Sequence, residues 1–235
     1  MPGDTLIDSV IVSALKGVLS RIGQPPEEDV ECGLHPQEAL GILKDGNGKY
    51  QQKRSVLDVG AWDPESNSRQ QSPIAVIVCC SDSRVPPELV FWQGLGRLFV
   101  TRVAGNTVDA AALGSIAYAV TTFKTPLVVV LGHEKCGAVK AAVEFVEENK
   151  EYPDILDAIV KPIIPAVKEA LKHHKDCGDL WEASMRESVK LTVASLSKSL
   201  SHFLQKAKGP DHVWIVGARY DVNNGAVDFF KPVPL

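Results

Sequence analysis

Nowhere in its 235 residues does this chain run to about 18 consecutive apolar residues, the length a membrane-spanning helix needs. Charge of one sign is equally scarce. Against 25 lysines and arginines stand 29 aspartates and glutamates, which leaves a formal charge of −4 and no block of like charge. A nucleic-acid footprint needs concentrated Lys/Arg surface to neutralise phosphates, so that class is disfavoured. There is no repeat of fixed period and no low-complexity segment. Cysteine is sparse and odd in number (Cys32, Cys79, Cys80, Cys136, Cys177). With no export leader in view, five cysteines favour thiol or metal chemistry over a disulfide framework. What remains, 45% hydrophobic and 23% charged residues, is the composition of a globular protein.

The first 22 residues, MPGDTLIDSVIVSALKGVLSRI, resemble a leader only at a glance. Asp4 and Asp8 stand where an export signal carries basic residues, and they interrupt the apolar run. The apolar positions recur at helical spacing, which predicts an amphipathic helix docked on the domain or on a partner subunit. A cytoplasmic protein is the expectation. Residues 23–72 are polar and rich in Pro, Gly and Gln, with one short helical pattern at HPQEALGILKDGNGKY. We therefore expect an N-terminal helical arm and loop over 1–72 and a single core domain over 73–235.

From Pro73 a rhythm sets in. Apolar runs at 73–80, 97–105, 125–133 and 212–222 alternate with helical patterns at 109–123, 137–149 and through roughly 154–206. Continuous Val/Ile/Leu strands separated by helices predict an α/β fold with a mostly parallel central sheet flanked by helices. The NNG at 223–225 followed by AVDFF signals a hairpin, hence an antiparallel C-terminal edge strand.

In open α/β sheets, functional groups gather at the carboxyl ends of strands. Two such ends are loaded here: Cys80-Ser81-Asp82-Ser83-Arg84 and His133-Glu134-Lys135-Cys136. Two thiolates and an imidazole suit tetrahedral zinc, and three protein ligands leave one position for water. Cys80, His133 and Cys136 form that set. A helix starting after Cys136 further favours thiolate. Two thiolates cancel the metal's charge, so bound water is acidified less than at an all-imidazole site, and a neighbouring acceptor is needed. Asp82 either reaches the metal and closes the site or accepts a hydrogen bond from its water. Arg84 can hold it off the metal by a two-point hydrogen bond. Cys79 alternates to the opposite side of its strand from Cys80 and is expected to be packing, which also ranks a redox role for the Cys79–Cys80 pair last. Cys32, Cys177, His173, His174, His202 and His212 lack ligand spacing and are expected to be bystanders.

At these residues the sequence resembles the β-class carbonic anhydrases, whose signature is C-x-D-S-R followed by H-x-x-C-G, and it is especially similar to their bacterial-type members. The resemblance runs over roughly residues 36–231, including SDSRVPPELVFWQGLGRLFVTRVAGN, LVVVLGHEKCGAVKAAVE and VGARYDVNNGAV. It implies one zinc per chain on Cys80, His133 and Cys136, a catalytic dyad of Asp82 and Arg84, and reversible hydration of carbon dioxide to bicarbonate and a proton. By the same resemblance the Gly137 N–H meets bound bicarbonate, Gln71 reaches the substrate from a neighbouring subunit, Phe99 and Tyr118 are pocket aromatics, and the protein is a homodimer or larger homo-oligomer. Ile77 stands where bicarbonate-regulated members carry tryptophan, and Trp92 and Arg97 where acidic residues are usual. Two alternatives stay open: the same zinc site acting on carbonyl sulfide or carbon disulfide, and a non-catalytic zinc scaffold with Asp82 permanently on the metal.

Overall fold

The computed structural model describes residues 33–52, 71–173, 179–207 and 212–235. The expected helix within 1–22, the loop at 53–70, Cys32, His174 and Cys177 lie outside the described residues. In chain order the elements are α1 (Pro36–Gln51), β1 (Ala75–Cys79), α2 (Pro87–Val90), β2 (Leu98–Arg102), α3 (Ala110–Thr122), β3 (Leu127–His133) and α4 (Gly137–Glu147). There follow α5 (Asp157–Val160), α6 (Ile164–His173), α7 (Leu180–Ala207), β4 (Trp214–Tyr220), β5 (Val227–Phe229) and β6 (Val233–Pro234).

The sheet runs β2-β1-β3-β4-β5. The first three pairings are parallel and β5 returns antiparallel on β4, as the hairpin signal implied. β6 is the addition that sequence reading did not foresee: Pro234 and Val233 pair with Trp214 and Ile215 on the same free edge of β4. Every residue of β1 and β3 is buried, which is why both read as unbroken apolar runs.

Strand alternation divides the core into two layers. Val76, Val78, Cys80, Val128 and Val130 face the layer beneath α3, α4, α6 and α7. Ala75, Ile77, Cys79, Val129 and Leu131 face the other, closed by Ala39, Leu40 and Leu43 of α1. Cys79 thus packs on the side opposite Cys80, as expected. α7 lies close on β3 because Gly132 has no side chain: a Cβ there would come 2.5 Å from Val189 and 2.6 Å from Met185.

α1 begins with a reciprocal cap, in which Gln37 N–H donates to the His35 ring and the His35 N–H donates to Glu38. The buried Asn47 then ties it down, donating to the carbonyls of Val90 (3.1 Å) and Gly225 (2.8 Å) and accepting from Val227 N–H (2.9 Å).

Candidate metal centre

β1 and β3 are parallel neighbours with Cys79 opposite Leu131, so both leave the sheet along one edge. Cys80 is the first residue beyond β1, His133 the last of β3, and Cys136 the residue that precedes α4. Their ligand atoms all lie within 4.8 Å of one another, and all three residues are buried.

The imidazole is already oriented for a metal. His133 Nδ1 sits 2.8 Å from the Glu134 carbonyl oxygen, which can only accept, so Nδ1 carries the proton and Nε2 the lone pair. Nε2 is fully buried and has no hydrogen-bond partner among the described residues. A buried polar atom left this way costs about 1–3 kcal/mol, and a cation bound there removes that cost. Two sulfurs and this nitrogen are the borderline-soft set that zinc prefers, so the residues fit the metal.

The sulfurs show the same strain. They bind protons as a pair: a hydrogen bond from the Cys136 thiol, outweighing the cost of burial, lowers Cys80 well below the usual thiol range. The Gly105 N–H, 3.3 Å from Cys80 Sγ, assists. The same contact, together with burial, pushes Cys136 upward. A divalent cation between the sulfurs replaces the proton of that hydrogen bond and lets both be thiolates.

Asp82 stands at the rim of this triangle. Arg84 grips it with Nε on Oδ1 (2.9 Å) and Nη2 on Oδ2 (2.7 Å), and its backbone N–H adds a third bond to Oδ1 (2.9 Å). Chiefly through that guanidinium the Asp82 carboxyl falls from 3.8 to about 2. Asp82 Oδ2 lies 3.9 Å from His133 Nε2, close to the metal position yet held aside by Arg84.

Three contributors escaped sequence reading. Arg102, at the end of β2, donates to the carbonyls of Cys80 (3.1 Å) and Asp82 (2.6 Å), so a third strand end feeds the same edge. A charged residue closing an adjacent strand was the signal that could have revealed it. Gly105 adopts φ +73, and a Cβ there would meet Ile163 at 2.7 Å and Ala138 at 3.0 Å. Trp181 Nε1 donates to the Cys136 carbonyl (2.8 Å) from 45 residues away, with no local pattern to announce it.

Cys80, Asp82, Arg84, His133, Cys136 and the exposed Gly137 are thus brought together. Gln71, Phe99 and Tyr118 are not. Phe99 pairs with Val76, four residues before Cys80, and Gln71 precedes β1 altogether, so both sit toward the opposite end of the strands. Phe99, Tyr118 and Phe123 form an aromatic patch, with Tyr118 edge-on to Phe123 at 5.4 Å and 44% exposed. His173 pairs with Glu169 and His212 stacks near His35, both away from the triangle. No helix among the described residues is long and apolar enough to cross a membrane.

Comparison with known proteins bears on the site directly. The profile of the carbonic anhydrase family matches residues 75–227. A carbonic anhydrase of Mycolicibacterium smegmatis is 37% identical over 195 residues, 83% of this chain and 93% of that protein. Among solved structures, the Coccomyxa β-carbonic anhydrase in complex with acetazolamide superposes with TM-score 0.64 at 24% identity, covering 83% of this chain and 87% of that one. One of two tetrameric β-carbonic anhydrases from Sordaria macrospora gives 0.62 at 20% identity over 84% and 98%.

Proposed function

This chain belongs to the carbonic anhydrase family and has the β-class fold, and from that premise we propose how its residues divide the work. The reaction is the reversible hydration of carbon dioxide to bicarbonate and a proton, and the cofactor is zinc. Cys80, His133 and Cys136 hold the metal. When bound, zinc supplies the Lewis acid that acidifies the reacting water.

Two thiolates leave that water less acidic than three imidazoles would, so the remaining help comes from the chain. Asp82, ionised throughout the neutral range, accepts the water's hydrogen bond and turns its lone pair toward carbon dioxide. Arg84 keeps Asp82 in that role by occupying both carboxylate oxygens. The Gly137 N–H, at the first turn of α4, donates to bicarbonate as it forms. Arg102 fixes the Cys80–Asp82 segment on which all of this hangs.

Gln71, Phe99 and Tyr118 serve the site of a second copy. That reading is supported by their distance from this chain's own triangle, by the exposure of Tyr118, and by the position of β2 at the end of the described sheet. The protein then works as a homodimer or a larger homo-oligomer in the cytoplasm.

The observation that carries the function is the union, at one sheet edge, of an unpartnered buried His133 Nε2, two facing sulfurs and a carboxylate held aside by Arg84. A structural zinc site has no use for that last arrangement. Stopped-flow carbon dioxide hydration by the zinc-loaded protein and its Asp82→Ala variant tests it. Rapid turnover lost in the variant is the expected result; equal turnover overturns the assignment of Asp82.

A further inference from the structure

The turn that carries His133 and Cys136 is held at the backbone oxygens of Glu134, Lys135 and Cys136. The Glu134 carbonyl receives His133 Nδ1–H (2.8 Å), the Lys135 carbonyl receives Arg84 Nη2 (3.3 Å), and the Cys136 carbonyl receives both Lys140 N–H (3.0 Å) and Trp181 Nε1 (2.8 Å). Glu134 N–H donates to the Tyr220 carbonyl (3.1 Å). Lys135 sits at φ +53, a conformation that persists only where the surroundings impose it.

Behind the turn lies a second set of contacts. Arg219, on β4 and 12% exposed, donates from Nη2 to Glu134, from Nε to Glu182 (2.6 Å) and from Nη1 to Asp228 (3.1 Å), with Asp221 3.7 Å from the same nitrogen. Asn223 Nδ2 holds the other Glu134 oxygen (2.8 Å). Glu182 is the neighbour of Trp181, and both belong to the first turn of α7. One helical turn therefore reaches the metal-bearing turn twice: through an indole to the Cys136 carbonyl, and through Arg219 to the residue whose carbonyl sets the His133 tautomer.

We propose that Trp181, Glu182 and Arg219 are positioning residues that determine how long the protein retains its zinc. The inference rests on the zinc reading above and extends it to residues that touch neither metal nor substrate. Arg219 is the guanidinium that bridges four carboxylates, Glu134, Glu182, Asp221 and Asp228. Without it, two of these, Asp221 and Glu182, repel Glu134 beside the histidine. Glu134 then shifts, the Nδ1–H bond to its carbonyl loosens, and Nε2 is no longer aimed. Without the Trp181 indole N–H, the Cys136 carbonyl keeps its helical partner alone, and the start of α4 is free to tilt.

The test is zinc transfer from the full-length, zinc-loaded protein to excess chromophoric chelator at neutral pH, with thermal unfolding of the metal-free protein measured in parallel. Arg219→Met is expected to release zinc about 10- to 100-fold faster than wild type, Trp181→Phe about tenfold faster, and Arg219→Lys at an intermediate rate, since an ammonium cannot bridge as a guanidinium does. All three are expected to start from one zinc per chain. A merely structural role would lower the melting temperature of the metal-free protein and leave the release rate alone, and rates within about twofold of wild type overturn the proposal. Should Arg219→Met not fold, Trp181→Phe, which keeps the ring, decides the matter by the same readout. A wild-type protein that takes up no zinc would sink the zinc reading itself. A wild type that holds zinc beside variants that hold it equally well sinks only this extension.

Discussion

Arg84→Ala removes the contact on which the catalytic reading turns, together with the Nη2 bond to the Lys135 carbonyl. The substitution removes both side-chain donors to Asp82 and keeps the backbone N–H bond. Charged hydrogen bonds of this kind contribute about 1.5–3 kcal/mol. Because half of the Arg84 side chain is exposed, solvent screening brings the pair to about 1–2 kcal/mol. Losing that preference multiplies the population of unclamped Asp82 by about 5 to 30. With Oδ2 already 3.9 Å from His133 Nε2, the released carboxylate needs only a small rotation to take the metal's open position. Turnover should therefore fall by about tenfold at saturating zinc, measured by stopped-flow hydration. The visible spectrum of the cobalt-substituted variant should stop responding to added small anions. The pH dependence has a definite sign: Asp82 has a folded-state value near 2 against its usual 3.8, so the pair stabilises the protein above about pH 4 and contributes nothing once both forms are protonated. The stability gap between wild type and variant should accordingly narrow in acid. Activity within about twofold of wild type, with an anion-sensitive cobalt spectrum, would refute the reasoning.

Gly105→Ala forces a Cβ against Ile163 and Ala138 at a positive φ and should cost about 2–4 kcal/mol, lowering the melting temperature by roughly 4–16 °C in calorimetry. Arg102→Leu frees the Cys80–Asp82 carbonyls and is expected to reduce turnover about 10- to 100-fold while elemental analysis still finds one zinc per chain. Cys79, whose thiol burial pushes up to about 12, should resist alkylation in the native protein; Cys79→Ala should keep full zinc content, whereas Cys80→Ala should lose it. Removing zinc with a chelator should abolish hydration and lower the unfolding temperature, and both should return on adding zinc back.

The strands and the ligand triad were legible because each is written locally. Unbroken apolar runs announce β1 and β3, and alternation alone sends Cys79 and Cys80 to different layers, where the structure puts them. The outer supports were not legible, because they depend on contacts between distant segments. Asn47 looks like an ordinary polar helix residue until the carbonyl of Gly225, 178 residues later, closes on it. Arg219 is one charged residue in a strand run, and only the arrival of α7 and the hairpin encloses it among carboxylates. β6, two residues long, leaves no period to detect.

Parallel pairing of β1 with β3 has a consequence for the order in which the protein is made. Cys80 and His133 leave their strands on alternate faces and meet because β1 and β3 end at the same edge, so a register slip, which moves one strand end past the other, would separate the donors. More than fifty residues separate the two segments, and such non-local pairing is slow because the intervening chain must close first. The metal centre is therefore complete only after this long-range pairing has closed, which places its assembly late in folding.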